Sequence, residues 1–301
     1  MSRNKTENLP DLSTLLTPKN QLMLAVEQAV LRGQDWSRAS APIAEQIAAR
    51  LAGVITLGLV QPGQRLLETD ISEVLHVSRA PVREALRILE RDRLIEFQAR
   101  RGAIVTAPGE AELRDIFKVR AVLYRTLLEQ LGNECPEKME QLLEARLPQL
   151  AKAAEDSPDA FSVESFLLNF SLIDLCSNKL LVDMLQSISL RTFRYVRLGV
   201  VDAPQTIPAS LKTWRMLHSA AAKRDADLIV SIAQKRIDHA RDAALRAVTA
   251  TPGTKAAATK GAEVKRTATK GAATKGAATK KPQANARARK TASSSNPATV
   301  D

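Results

Sequence analysis

The sequence predicts a mainly α-helical fold, in which a small helix-turn-helix unit with a β-hairpin precedes an all-helical bundle and a basic tail. Only six Phe, two Tyr and two Trp occur among 301 residues, so the core must consist of Leu, Ile, Val and Ala, a composition that favours helices. Apolar residues recur at helical spacing through most of the chain, and strand-like runs are confined to one short region.

The apolar stretches are too short to predict a membrane segment. The longest one worth testing, residues 51–60, is well below the roughly 20 residues that span a bilayer. The N-terminus mixes both charges and leads into no apolar signal region, so we expect a cytoplasmic protein with no membrane partner.

The N-terminal extension, residues 1–36, contains apolar positions that predict one short amphipathic helix over 21–31. In the next part, residues 37–108, helical periodicity runs from position 41 to Gly58, and a Pro-Gly turn follows. We therefore expect the first helix of a small domain soon after the extension.

Two further helices with a three-residue turn between them predict a helix-turn-helix. The first covers 68–75, and Ser78 is placed as the N-cap of the second. The second helix has one apolar face, while another face carries Arg79, Arg83 and Arg87. Short β-prone runs at 94–97 and 103–106 then predict a hairpin with a basic tip, which completes a unit of three helices and a hairpin.

From residue 109 to residue 250 the pattern is helical throughout and predicts an all-α bundle of six helices. The first of them opens with acidic residues that suit its positive end, and prolines separate several of the others. The predicted helices cover about 110–131, 137–154, 159–177, 178–198, 207–223 and 225–248.

Residues 251–301 form a basic tail that has no means of building a core. The tail holds eleven Lys or Arg and two acids, and the pentamer Ala-Thr-Lys-Gly-Ala occurs three times in it. We expect it to be disordered in isolation and to contact nucleic-acid phosphates without sequence preference. A solubilising tail with no partner is the alternative.

The sequence gives little sign of an enzyme. Cys135 and Cys176 lie far apart without metal-ligand spacing, and the three histidines are scattered. There is no Gly-rich phosphate loop and no arrangement typical of nucleophilic catalysis. We therefore expect a protein that binds rather than catalyses.

Residues 43–106 resemble the winged helix-turn-helix of GntR-family transcriptional regulators. The resemblance rests on the segments Gly63-Gln64-Arg65-Leu66-Leu67-Glu68, Val77-Ser78-Arg79-Ala80-Pro81-Val82-Arg83-Glu84-Ala85-Leu86 and Arg101-Gly102-Ala103-Ile104-Val105. The helical part that follows resembles the FCD ligand-binding domain of the family's FadR branch, so the resemblance covers about 40–250. His76 and Arg93 stand where the family usually has Gly, and both turns need a positive φ that His tolerates better than most residues.

The resemblance implies a sequence-specific regulator, usually a repressor, that binds a two-fold operator in double-stranded DNA as a homodimer and is nucleoid-associated. The first turns of a recognition helix enter the major groove, where the guanidinium fork of arginine matches a guanine edge. We expect Arg79 and Arg83 to read bases, three residues to hold phosphates and the hairpin tip to lie along the backbone or in the minor groove. The candidate DNA contacts are Arg65, Thr69, Ser78, Arg79, Ala80, Arg83, Arg100, Arg101 and Gly102. A solvated basic face paired with Glu84 and Glu90 is the alternative, favoured for Arg87.

FCD domains commonly hold a divalent metal with one Asp and three His, and this chain departs from that set. The matching positions hold Ser165, Asn169, Trp214 and Arg236, so no metal cofactor is expected. His218 and His239 lie about one helical turn beyond the last two positions, and a one-turn slip would restore a metal-dependent regulator.

Without a metal, a small organic-acid effector docking on Arg236 is the working hypothesis, because arginine is a permanent cation suited to a carboxylate. Ser165 and Asn169 would supply neutral hydrogen bonds, Trp214 an apolar wall, and Arg120 with Tyr124 a second clamp that the resemblance places in the pocket. Three alternatives remain: Arg236 is a surface residue paired with Asp238 or with a neighbouring helix, the domain has lost effector binding, or the protein is an architectural nucleoid-coating protein driven by its tail.

Overall fold

The computed structural model describes residues 21–32 and 41–250, and the predicted mainly helical fold is confirmed within them. The predictions for the rest of the N-terminal extension and for the basic tail lie outside the described residues. We number the elements α1 (Gln21–Arg32), α2 (Ile43–Thr56), β1 (Arg65–Leu66), α3 (Glu68–Leu75), α4 (Arg79–Arg91), β2 (Ile95–Gln98), β3 (Gly102–Val105), α5 (Glu110–Glu134), α6 (Pro136–Asp156), α7 (Pro158–Asp174), α8 (Lys179–Asp202), α9 (Ile207–Ala222) and α10 (Ala226–Ala250).

The winged unit consists of α2, α3, α4 and a three-stranded antiparallel sheet. Strand β3 lies in the centre, paired with β2 along the predicted hairpin and with β1 on its other edge. Strand β1 was not predicted, because a strand of two residues is too short to show an alternating pattern. The inward face of α4 is as predicted, with Val82, Leu86 and Leu89 almost fully buried.

Several turns of the winged unit adopt the left-handed conformation without glycine. His76 has φ 52° at the end of α3, and Arg93 has φ 57° at the entry to the hairpin, as their replacement of glycine predicts. Arg100 at the hairpin tip has φ 65°. Ser78 occupies the N-cap position of α4, but its side chain makes no capping hydrogen bond.

Helices α5 to α10 form the predicted bundle around a core of leucine and isoleucine side chains. Within the described ranges, no helix is long and apolar enough to cross a bilayer. Helices α8 and α10 approach closely at Gly199, where an added Cβ would overlap the carbonyl of Ala243. This contact places the two helices side by side, and both contribute to the cavity described below.

The winged unit is packed directly onto the bundle. Phe166 of α7 and Phe193 of α8 join the core of the winged unit and stack with their ring centroids 4.2 Å apart. At the end of α2, Arg194 donates from Nη1 to the carbonyl of Val60 at 2.6 Å, and Arg197 donates to the carbonyl of Leu57 at 2.7 Å. Leu57 is the C-cap residue of α2, so Arg197 satisfies a carbonyl at the negative end of that helix, while Arg194 holds the turn that follows it; together they anchor the end of α2 to α8.

Candidate nucleic-acid interface and ligand cavity

The first turn of α4 presents two arginines to solvent. Arg79 and Arg83 are both exposed because the apolar positions of this strongly amphipathic helix lie on the opposite side. Arg79 forms no hydrogen bond or ion pair with any residue of the described ranges, so its whole fork is available to a ligand. An exposed guanidinium at a helix N-terminus is suited to a base edge or a phosphate.

Arg83 is held by a carboxylate from the preceding helix. Its Nε donates to Oε1 of Glu68 at 3.1 Å, and its Nη2 donates to Oε2 of the same side chain at 2.9 Å. The hydrogen bond from Arg83 lowers the pKa of Glu68, and the charges of Arg83 and Arg79 act in the same direction. Glu68 thus occupies one edge of the Arg83 fork and leaves the Nη1 end free. Within 41–250, neither Glu84 nor Glu90 forms an ion pair with these arginines.

The three residues expected to hold phosphates differ in how available they are. Arg65 is exposed on β1, and its guanidinium lies 3.8 Å from the position of a Cβ on Gly102, beside the hairpin tip. Ser78 is exposed. The Thr69 hydroxyl donates to the Asp70 carboxylate at 2.9 Å, so it must rotate before it can donate to a phosphate.

The hairpin tip is basic and exposed, and Ala80 of α4 is also exposed. Arg100 makes no side-chain hydrogen bond within the described ranges, whereas Arg101 donates to the Gln98 side chain at 3.1 Å. Gly102 takes φ 77°, which the turn requires. The structure therefore brings Arg65 of the edge strand β1 next to the basic hairpin tip.

A cavity of about 370 Å³ lies in the bundle, a size typical of small-molecule sites. Five of the six residues predicted for the effector pocket line it, namely Arg120, Tyr124, Ser165, Asn169 and Arg236. The prediction that Trp214 forms a wall is wrong. Trp214 is fully buried behind Arg236, with its ring centroid 3.1 Å from the guanidinium carbon, and its indole N–H donates to Ser165.

Arg236 is buried in the bundle, with 9% of its surface exposed. It donates from Nε to the Tyr124 hydroxyl at 3.0 Å and from Nη1 to Thr213 at 3.3 Å, both neutral acceptors. The alternative of a surface residue paired with Asp238 is wrong, because Asp238 pairs with Arg241. Desolvation lowers the pKa of Arg236.

Arg120 of α5 is a second buried cation in the same cavity. Its Nη1 donates to the Thr192 hydroxyl at 2.8 Å, while its Nε is buried without a hydrogen-bond partner. Burial lowers the pKa of Arg120 to about 10, and the positive charge of Arg236 adds to this effect. Within 41–250 no carboxylate forms an ion pair with either guanidinium. Both buried cations are therefore held by neutral hydroxyl groups of the described residues, an arrangement that suits an anionic ligand.

The alternative of a metal site gains no support within the described residues, where no group of three or more His, Cys, Asp and Glu could hold an ion. His218 is half-buried and does not line the cavity, whereas His239 is exposed and lies at its edge. The cavity residues around Arg120 and Arg236 offer guanidinium, hydroxyl and amide groups, which suit an oxyanion better than a divalent cation.

Sequence reasoning missed several cavity residues, of which Thr213 and Arg246 bear most on its chemistry. Thr213 precedes Trp214 and is one of the two acceptors that hold Arg236. Arg246 lies ten residues beyond Arg236, and at about 3.6 residues per turn this leaves the two side chains about 80° apart around α10. The spacing alone therefore gave no clear signal that Arg246 lines the cavity.

Comparisons with known proteins agree with this geometry. Residues 43–105 match the bacterial regulatory proteins of the gntR family, and residues 115–239 match the FCD domain. The HTH-type transcriptional regulator YdhC of Bacillus subtilis is 29% identical over 142 residues, which are 46% of this chain and 63% of YdhC. The gluconate operon transcriptional repressor of Bacillus licheniformis is 36% identical over 105 residues, which are 35% of this chain and 42% of the repressor.

The chain thus spans less than two thirds of the length of these two relatives. Among solved structures, E. coli McbR/YncC shares the fold with a TM-score of 0.57 and 19% identity, over 66% of this chain and 94% of that one. The winged unit, the bundle and both sequence matches lead to one conclusion: the chain belongs to the GntR family of bacterial regulatory proteins and carries an FCD domain, which is consistent with the FadR branch of that family.

Proposed function

We propose that the protein is a sequence-specific DNA-binding transcriptional regulator, acting as a repressor, whose operator affinity is controlled by a small organic acid bound in the bundle. It binds a two-fold operator as a homodimer, since half-sites about one helical turn apart require two recognition helices. The observation that carries the DNA-binding part is the exposed, unpaired fork of Arg79 at the front of α4.

Two further features of the winged unit support DNA binding. Glu68 fixes the direction of the Arg83 side chain, so less rotamer freedom is lost when the free end of its fork meets a base. Arg65 and the hairpin tip, which lie next to each other, supply further positive charge for phosphate contacts.

The acid effector is supported by the two buried guanidiniums of Arg120 and Arg236. Burying a cation without a carboxylate is costly, and a bound carboxylate would offset that cost through charge-assisted hydrogen bonds. The hydroxyl and amide groups of Tyr124, Ser165 and Asn169 complete a polar end of the cavity.

Effector binding is coupled to the winged unit through aromatic residues that belong to both parts. Phe166 and Phe193 line the cavity and also pack in the winged core. An acid that shifts this pair alters the position of the winged unit, and the shift in operator affinity equals the difference in its affinity for the two arrangements.

The test is selection of bound DNA from a random pool by the full chain, followed by affinity measurements with and without carboxylic acids. We expect a two-fold symmetric motif, and at least one acid that weakens binding to it. Enrichment without any motif would contradict sequence-specific regulation and favour the architectural role. A motif whose affinity responds to no acid would contradict the effector part alone.

A further inference from the structure

The cavity has a second charged end that the effector hypothesis does not use. On α10 the lining residues Arg236, Ala240, Ala243 and Arg246 recur at intervals of three or four and therefore lie along one face. At a rise of about 1.5 Å per residue, the backbones of Arg236 and Arg246 are separated by roughly 15 Å along the helix axis. The cavity thus extends along α10 from one arginine to the other.

The walls of the cavity that face α10 are formed by α7 and by the segment leading into α9, and they also extend from one end of the cavity to the other. Ser165 and Asn169 of α7, with Thr213 of α9, line the end near Arg236. Phe161 near the start of α7, and Gln205 and Thr206 ahead of α9, line the cavity from the other ends of their segments. Asp159 at the start of α7 pairs with Arg197, which lies close to the contact between Gly199 and Ala243, so Phe161 belongs to the end near Arg246. Helices α9 and α10 are consecutive and Thr213 binds Arg236, so residues ahead of α9 also lie towards Arg246.

Between the two ends the lining is mainly apolar, with the hydroxyl groups of Ser162 and Ser210 as exceptions. Phe166, Phe193, Val196 and Val200 contribute aromatic or branched side chains, and α10 contributes two alanines. A ligand that fits this shape has a hydrocarbon middle, since a polar group there would lose its hydration without gaining a partner.

The end near Arg246, called the outer end here, has a cation without an anionic partner, as does the inner end near Arg120 and Arg236. The Nε of Arg246 is buried without a hydrogen-bond partner, and within 41–250 no carboxylate forms an ion pair with this residue. Asp242 also lines the cavity, but its carboxylate is engaged by Arg241 at 3.0 Å. The half-buried Arg246 is therefore free to bind an anionic group that reaches the outer end.

We infer that the cavity binds an elongated dianion, with one acidic group held by Arg120 and Arg236 and the other by Arg246. A straight-chain dicarboxylate is the simplest molecule of this class. This inference rests on the proposed acid effector and narrows it, because a monocarboxylate would satisfy only the inner pair of arginines. Two anionic groups joined by a short apolar chain match the charges and the lining of the whole cavity.

Isothermal titration calorimetry on the full chain tests the inference with matched acids. Succinate, adipate and sebacate are each compared with the monocarboxylate of the same length, namely butyrate, hexanoate and decanoate. We expect at least one dicarboxylate to bind about tenfold more tightly than its matched monocarboxylate, the effect of one additional charge-assisted contact. Arg246→Gln should abolish this advantage and leave monocarboxylate binding unchanged, while Arg246→Lys should retain part of it.

The matched control is Lys235→Gln, which removes a positive charge from an exposed position of the same helix that does not line the cavity. It should not change the preference for dicarboxylates. Equal affinity for both classes of acid, or an equal loss of both in Arg246→Gln, would overturn the outer subsite and leave the proposed acid effector standing. If the intact protein binds none of the six acids, the inference and the effector part of the proposed function both fail, whereas DNA binding is judged separately by the selected motif.

Discussion

Replacement of Gly199 by alanine is the most direct test of how the bundle is packed. Gly199 lies inside α8, where an alanine would ordinarily stabilise the helix by about 1 kcal/mol. In the folded bundle, however, the new Cβ would overlap the carbonyl of Ala243 on α10 and lie 2.9 Å from its Cα. The neighbour is backbone, so it cannot be relieved by a rotamer change.

Gly199→Ala should therefore destabilise the protein, whereas helix propensity alone would predict stabilisation. Overpacking of this kind costs about 1–3 kcal/mol, and a clash with backbone belongs at the upper end of that range. For a bundle of this size a loss of about 3 kcal/mol corresponds to a drop in Tm of about 6–12 °C. The cavity should also change, since Val196, Val200 and Ala243 line it around the contact.

Gly132→Ala in α5 is the matched control. Its added Cβ would meet the end of the Ile229 side chain at 3.2 Å, and this side chain can move by the few tenths of an ångström required. We expect the unfolding free energy of this variant, from urea titrations, to equal or slightly exceed that of the intact protein. If Gly199→Ala were as stable as Gly132→Ala, the close approach of α8 and α10 would be refuted.

Three further predictions follow from contacts and charges. Arg194→Met should lower the unfolding free energy by about 1–3 kcal/mol, because it leaves the buried carbonyl of Val60 without its charged donor. Arg194→Lys should lose less. Equal stability of Arg194→Met and the intact protein in urea titrations would contradict this. Burial raises the pKa of Asp92, so the ionised carboxylate opposes folding once the pH rises above its unfolded value. The stability advantage of Asp92→Asn over the intact protein should therefore grow as the pH rises above about 4 in paired unfolding experiments, and a pH-independent difference would argue against this burial. Removal of 251–301 should flatten the salt dependence of DNA affinity while sparing the preference between sequences, and an unchanged slope in anisotropy titrations would contradict a phosphate-binding tail.

The helices could be predicted from the sequence because their apolar residues recur with a strong period. The helix predicted over 68–75 is α3 itself, and the six bundle helices agree with the structure to within a few residues at most of their ends. The positive φ of His76 and Arg93 also followed from the sequence, since the turns require it whichever residue is present. Strand β1 could not be predicted, because it exists only through its pairing with β3.

The candidate sites were harder to predict from the sequence, because the burial of a side chain and its hydrogen-bond partners depend on how the helices face one another. Nothing in the local sequence distinguishes the buried Arg236 from the half-buried Arg241. Trp214 was assigned to the right neighbourhood, but only the packing shows that it supports Arg236 from behind. The pairing of Arg83 with Glu68 joins two helices and had no signal in the spacing of either.

The measurement that tests the central claim most directly is the affinity of the protein for its selected operator and for every single-base-pair variant of it, compared between intact protein and Arg79→Ala. We predict that replacing the base pair read by Arg79 costs the intact protein about 1–3 kcal/mol of binding free energy. Arg79→Ala should bind all base pairs at that position with equal affinity. Arg87→Ala, which removes an exposed arginine further along the same helix, should preserve the full pattern. An Arg79→Ala protein with the same penalties at every position as the intact protein would contradict base reading by the front of α4.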